Sequence, residues 1–433
     1  MIPISRYQRR RAQLAKAIGS GIAIIPTAPE RARNRDTHFQ YRFDSYFYYL
    51  TGFIEPETVA VISGGKSSKM ILFCREKDLT REIWDGFRYG PKAAQKAFAF
   101  DEAYPIAKLD EMMSKLIANQ PVLHFPLGAD SGWDARVVGW INQVKAQVRS
   151  GISAPTEIQD VCTVLDDMRL FKDADEIKTM RSAAAIASDA HRRAMQTTQP
   201  GMMEFQVEAE ILHEFRSSGS QAPAYTSIVA GGANACVLHY VENKDRLNAG
   251  DLLLIDAGCE LNGYASDITR TFPVSGKFTA AQRDVYELVL AAQGKAIEAV
   301  KPGAAFEAYH DAALRVLVRG MIDFKLCKGS VDKVIETGDY RQFYMHRTGH
   351  WLGLDVHDAG DYKKNGKSVK LAPGMVLTVE PGCYIRPAKN VPKAFWNIGI
   401  RIEDDVLVTK SGCDVLTNPP KTVRDIEAVM QRA

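Results

Sequence analysis

Apolar residues follow two rhythms along this chain, and the rhythm switches several times. In the opening stretch MIPISRYQRRRAQLAKAIGSGIAIIP, positions Ile4, Tyr7, Arg11, Leu14 and Ile18 recur near one helical face. That spacing predicts an amphipathic helix leading into a strand at Ala23–Ile25. ETVAVISGG and SSKMILFCRE read as two strands joined at a Gly-Gly turn. VRSGISAPTEIQD (148–160) is rich in Ser, Gly and Pro and is the expected linker. Beyond it, DADEIKTMRSAAAIASDAHRRAMQ predicts a long helix with acids in its first turn and bases near its end. PGMMEFQVEAEILHEFRSSG predicts a second helix ending at Gly219. Helical patterns also span 279–300 and 304–320, and β patterns 223–241, 251–273, 375–385 and 398–409. The expected fold class is α+β. A mixed α/β domain over 1–160 precedes a second domain over 161–433 that holds the candidate chemistry.

Composition narrows the functional classes. The 433 residues carry a formal charge of only +3, so bulk electrostatics give no reason to expect nucleic acid. No apolar run approaches a membrane span. Arg6, Arg9, Arg10, Arg11 and Lys16 precede the first acid, Glu30, which gives the N-terminus the look of a transit peptide. The strand and turn that follow at once favour a folded helix. Seven cysteines without a CxxC pair indicate neither a zinc knuckle nor a disulfide framework, and a reducing cytoplasm is the simplest setting. GGKSS resembles a phosphate loop only superficially, because the glycine such a loop needs is Ala60.

The chemistry begins in DLLLIDAGCELNGYASDITRTF (251–272), where Asn-Gly is a strong hairpin signal. A loop at Leu261–Asn262 puts Asp256 directly opposite Asp267; a loop at Asn262–Gly263 makes them diagonal neighbours on one face. Either way two carboxylates meet in an apolar hairpin, which is destabilising unless a cation lies between them. The oddity recurs. MVLTVEPGCYI runs apolar into Glu380, and IGIRIEDDVLV sets Glu403 inside an alternating strand. Asp404 and Asp405 are expected to mark the turn leaving that strand. A lone acid at a strand end is ordinarily a solvated cap, but four in strand settings, with His350 of RTGHWLG, form a set. Four carboxylates and one imidazole carry about four negative charges, which suits two divalent cations, and oxygen-rich ligation favours hard ions such as Mn²⁺. A paired site of this kind activates water and holds a carbonyl oxygen, which is hydrolytic machinery.

Taken together, LLLIDAGCELNGYASDITRTF, HRTGHWLGLDVHD, MVLTVEPGCY and IGIRIEDD resemble the metallopeptidase family with the pita-bread fold, and within it the aminopeptidase P (Xaa-Pro aminopeptidase) group. The likeness extends to YYLTGFIEPETVAV, REIWDGFRYG and MRLFKDADEIKTMRSAA, so it covers nearly the whole chain. It implies a C-terminal pita-bread domain with Asp256 on one metal, His350 and Glu380 on the other, and Asp267 and Glu403 bridging both. It implies release of the first residue from peptides with proline second, by a hydroxide bridging the two ions, with Glu380 as a proton carrier. His239 of CVLHY and His357 of DVHD would stabilise the tetrahedral intermediate. His346 would support the site or touch substrate, and Arg401 would orient a carboxylate with help from Tyr225. Asp355 and Asp358 are expected to be structural. Trp84 of REIWDG resembles an aromatic that in some relatives reaches a neighbour's active site; the plainer reading is a buried core Trp. The resemblance further implies a homodimer or homotetramer in the cytoplasm, with no nucleic-acid or membrane partner.

One position departs from the pattern. Arg347 stands where relatives usually carry Gly, and a cation there would narrow the pocket or bind a peptide carboxylate. The nearest rival is a prolidase, which cuts only Xaa-Pro dipeptides with the same ligands. Methionine aminopeptidases generally lack so long an N-terminal domain. A pita-bread binding module without metals is disfavoured, because all five ligand positions are filled.

Overall fold

The computed structural model describes residues 2–65 and 68–431; Lys66 and Ser67 of the GGKSS segment lie outside them. The chain divides into two units, Met1–Arg169 and Leu170–Ala433.

In the first unit the amphipathic start forms the helix Ile4–Ala17, burying Tyr7, Arg11 and Leu14. Helix C-termini leave carbonyls without partners, and Arg11 meets two sets of them. Its guanidinium donates to Leu50 O (2.9 Å), Phe98 O (2.9 Å) and Ala99 O (2.7 Å), at the ends of the helices Ser45–Thr51 and Gly90–Phe98. Part of the basic N-terminal run is thus consumed by folding. Six strands lie side by side in the order Glu102–Pro105, Met70–Cys74, Val59–Ser63, Ile22–Pro26, Val122–Phe125, Glu157–Asp160. Met70–Cys74, Val59–Ser63 and Ile22–Pro26 pair antiparallel with one another in that order, and the remaining pairings are parallel. One face of this sheet packs on the helices Leu109–Ile117 and Ser131–Lys145.

The segment expected to be a linker supplies the edge strand Glu157–Asp160, because its backbone continues the parallel ladder with Val122–Phe125. The division comes after Arg169 because the helix Cys162–Leu170 is tied back to this unit. Tyr46 donates to Asp166 (2.6 Å) and Tyr49 to Met168 O (3.0 Å).

The second unit opens with the helix Ala174–Thr197, whose start is a capping box. Asp173 accepts from Asp175 N and Glu176 N, and Glu176 accepts from Asp173 N. Its alanines, Ala183, Ala187, Ala190 and Ala194, share one core with Val207, Ile211 and Phe215 of the helix Glu204–Ser217. The same core takes Val285, Val289 and Ala292 of Ala280–Ala299 and Leu317 of Ala308–Asp323. This helical layer covers short antiparallel strands in the pita-bread arrangement. No helix among the described residues is long and apolar enough to cross a membrane, and all seven cysteines are free thiols.

Two interrupted ladders carry the chemistry. Leu252–Asp256 pairs with Thr269–Pro273, setting Asp256 opposite Thr269. The hairpin closes at Leu261 and Tyr264, so the loop is Asn262–Gly263, with φ of 51° and 83°. Asp256 and Asp267 are therefore the diagonal pair. Between the two paired stretches, a Cβ on Gly258 would lie 1.7 Å from Ser266 O, so only glycine fits there. In the second ladder, Val379 lies opposite Asp404 and Gly382 opposite Arg401. Glu380 and Glu403 sit in the gap between those pairs. Pro381 has no N–H to continue the ladder, and the chain changes sheets on both sides of the gap.

Three expectations need correction. IGIRIEDDVLV is two strands, Ile398–Arg401 and Asp404–Val408, with Glu403 at their junction rather than inside one. Asp404 and Asp405 are buried, not solvated turn residues. Asp404 pairs with Arg270 (2.6 Å) and Lys421 (2.6 Å), and Asp405 accepts from Asp267 N (3.2 Å). The β run expected over 223–241 stops after Ile228–Gly231, because Gly232 turns to φ 53° and a 3₁₀ helix, Gly232–Cys236, follows.

Candidate active site

The two gaps and the HRTGHWLG loop face one cleft of about 520 Å³. Asp256, Asp267, His350, Glu380 and Glu403 all line it, as do His239, His346, His357, Arg401 and Tyr225. Asp267, His350 and Glu403 offer ligand atoms within 4.8 Å of one another. His350 Nε2 lies 3.4 Å from Asp267 Oδ2 and 3.7 Å from Glu380 Oε1. On its other edge, His350 Nδ1 donates to Trp351 O (2.9 Å), since a carbonyl only accepts. That bond orients the ring so that Nε2 faces carboxylate oxygens, where a metal ion would take the place of its proton. Gly349 allows this approach, because a Cβ there would sit 2.0 Å from Thr378 O.

The electrostatics point the same way. Burial pushes the Asp256 carboxyl up, with Asp267 adding to the shift and Arg401 opposing it. Burial, then the charges of Asp267, Glu380 and Asp256, hold Glu403 well above the usual carboxylate range. Glu380 is pushed up to about 7 by burial, with its carboxylate neighbours adding and His350 and Arg401 offsetting. His350, although burial opposes it, is raised to about 9 by its hydrogen bond to Asp267 and the charge of Glu380. The cleft thus holds more buried negative charge than its own cations balance. Tyr225 makes the same point in one contact: its single hydroxyl lies 2.6 Å from Asp256 Oδ1 and 2.5 Å from Asp267 Oδ1.

Arg401 reaches Asp256 Oδ2 at 2.6 Å and donates to Tyr384 (3.0 Å) and Thr269 Oγ1 (3.1 Å). Thr269 in turn donates to Glu403 Oε2 (2.7 Å), so one arginine braces two carboxylates. His346 Nδ1 donates to Arg347 O (2.6 Å), and its Nε2 accepts from Tyr384 (2.8 Å). Burial and the Arg401 charge lower its pKa to about 3, so it is neutral. His357 is exposed, with its ring 4.2 Å from that of His350, and burial of its inner edge lowers its pKa. His239 is exposed on the turn after the 3₁₀ helix. Asp358 is buried against Lys172 at 2.8 Å and accepts from Asp355 N (3.2 Å), away from the acidic cluster.

Trp84 does not lie in a core. It sits on the helix Leu79–Asp85 of the first unit, 81% exposed, beside exposed Leu79, Ile83 and Phe87. Sequence reasoning missed Thr269, Tyr384 and Asp405. Thr269 carried a faint signal, being two residues after Asp267 and thus on the same strand face.

Four clustered carboxylates and one imidazole Nε2 make a donor set suited to divalent metal. Fold and cleft together define a metal-dependent hydrolase. Residues 178–410 match metallopeptidase family M24, and residues 7–124 match the aminopeptidase P, N-terminal domain. The chain belongs to metallopeptidase family M24. It is 42% identical to the Xaa-Pro aminopeptidase of Escherichia coli strain K12, covering 100% of this chain and 99% of that one. It is also similar to the structure of Pseudomonas aeruginosa aminopeptidase PepP, with TM-score 0.98 and 48% identity over 100% of this chain and 98% of that one. Proline aminopeptidase P II from Yersinia pestis gives 0.97 and 44%, with both chains covered completely.

Proposed function

We propose that the chain is an Xaa-Pro aminopeptidase, releasing the first residue of peptides whose second residue is proline. The observation that carries this reading is one cleft lined by Asp256, Asp267, His350, Glu380 and Glu403, in a chain that aligns end to end with an Xaa-Pro aminopeptidase. In this reading those five residues hold two divalent ions, with Mn²⁺ the favoured species for an oxygen-rich set. Bound there, the ions supply Lewis acidity at the scissile carbonyl and lower the pKa of the attacking water.

The protein's own groups do the rest. Arg401 and Tyr225 hold Asp256 in place, and Thr269 holds Glu403. Glu380 takes the proton of the attacking water and passes it to the departing prolyl nitrogen. His357 and His239, on the rim, donate hydrogen bonds to the developing oxyanion. His346 is fixed by Tyr384 and shapes the wall beside the substrate. An Xaa-Pro bond is a tertiary amide without an N–H, so a site shaped for the ring selects what ordinary peptidases reject. Trp84 serves a neighbouring copy's cleft in a homodimer or homotetramer, which its exposure supports. Seven free thiols suit the cytoplasm.

The test is hydrolysis of an Xaa-Pro-Yaa tripeptide beside the Xaa-Pro dipeptide, on chelator-stripped protein with and without Mn²⁺. Metal-dependent release of the first residue from the tripeptide is expected. Cleavage confined to the dipeptide would make the protein a prolidase, and cleavage of neither with metal bound would remove the proline preference.

A further inference from the structure

Beside the main cleft lies a second hollow of about 500 Å³ that the chemistry above leaves unused. His350, His357 and Arg347 line both. Its apolar part is aromatic: Phe306 packs on Tyr309 and Tyr362, with ring centroids 5.2 and 4.9 Å apart. One charged feature here has no partner within the fold. The Arg347 side chain is exposed and, among the described residues, makes no hydrogen bond or ion pair. The other charged residues of the wall cancel, because Lys363 pairs with Glu307 at 2.9 Å. His310 adds no charge, its pKa being lowered by burial and by Arg347. The hollow therefore carries one uncompensated cation.

We propose that this hollow is a carboxylate-recognising subsite for the part of the peptide beyond the scissile bond, with Arg347 as its specificity-determining residue. The proposal rests on the aminopeptidase reading above. Orientation follows from charge. The substrate's α-ammonium is drawn to the acidic cluster and repelled by Arg347, so the side holding Arg347 receives the carboxyl-directed residues. A guanidinium fork binds a carboxylate in two parallel hydrogen bonds whether it is the chain end of a short peptide or an Asp or Glu side chain.

Both sources are separable with Mn²⁺-loaded enzyme and four peptides: Ala-Pro-Ala, Ala-Pro-Ala-NH₂, Ala-Pro-Glu-NH₂ and Ala-Pro-Gln-NH₂. The natural chain is expected to prefer the carboxylate member of at least one pair by roughly three- to tenfold in kcat/KM, through KM, as suits a rim cation. Acid over amide identifies the chain end; Glu over Gln identifies a side chain. The ratio should approach one in Arg347→Gly, be partly kept in Arg347→Lys, and shrink with added salt. Equal ratios in the natural chain and Arg347→Gly would overturn the proposal. Binding of the product Pro-Ala against Pro-Ala-NH₂ by calorimetry needs no turnover. If no peptide is cleaved, an acid preference in that assay, lost in Arg347→Gly and partly kept in Arg347→Lys, still upholds the subsite. No preference there sinks it independently of the aminopeptidase reading.

Discussion

His350 and Arg401 set the charge of the cleft before any ion binds, and they do so differently. Arg401 stays charged and braces Asp256 directly and Glu403 through Thr269. His350 exchanges a proton for a metal at Nε2, so metal affinity and pH are linked at this residue. Without metal, Glu380 moves from 4.5 to about 7 and His350 from 6.5 to about 9 on folding. Both groups hold protons more tightly folded than unfolded. The stability they contribute is complete below their unfolded values and is lost as pH rises through the folded ones. The Tm of chelator-stripped protein should therefore fall between about pH 5 and 9, and divalent ion should flatten that slope. A stripped-protein Tm rising across the window would contradict this. Asp267→Ala or Glu403→Ala should abolish turnover and metal retention together, as read by activity and metal content. His357→Ala should lower kcat by about 10² to 10³ while metal content holds; collapse of metal content would move His357 among the ligands. The acids were legible because each interrupts an apolar run. Thr269 and Tyr384 were not, since Thr and Tyr are ordinary strand residues whose roles exist only once Arg401 reaches them.

At the scale of elements, both acid pairs sit where a ladder breaks. A continuous strand would alternate its side chains across two faces; a break re-aims them toward one point. Gly258 makes the first break, so Gly258→Ala should force the hairpin open, lowering metal affinity and costing about 1–3 kcal/mol in urea unfolding. Unchanged metal affinity would show that the gap tolerates widening. The hairpin was readable from Asn-Gly, with its loop left open between two positions, but the second break was not. The β-forming residues run on either side of the acids in IGIRIEDDVLV, and the change of partner strand between them is a tertiary event that no local pattern records. Burial of Asp404 was hidden for the same reason: its partners, Arg270 and Lys421, come from distant parts of the chain. Arg270→Met leaves that carboxylate short of a buried partner and should cost about 3–5 kcal/mol by denaturant titration.

Across the whole molecule, the family likeness spans both units, so the architecture was legible where individual boundaries were not. Contact between the helices Cys162–Leu170 and Ser45–Thr51 is tertiary, and composition alone marked an earlier division. The exposure of Trp84 was equally invisible, because a Trp in a short amphipathic helix reads as core until its neighbours Leu79, Ile83 and Phe87 prove exposed as well.

The two interrupted ladders also bear on how the enzyme is made. Asp256 and Asp267 leave the ribosome long before Glu380 and Glu403, and Asp404, whose pairing with Arg270 ties the second ladder to the first, emerges only after them. During synthesis the hairpin is an exposed pair of acids with no counterpart. A growing chain thus stays catalytically silent until its last ligand strand has docked, and the peptides around it are spared until then.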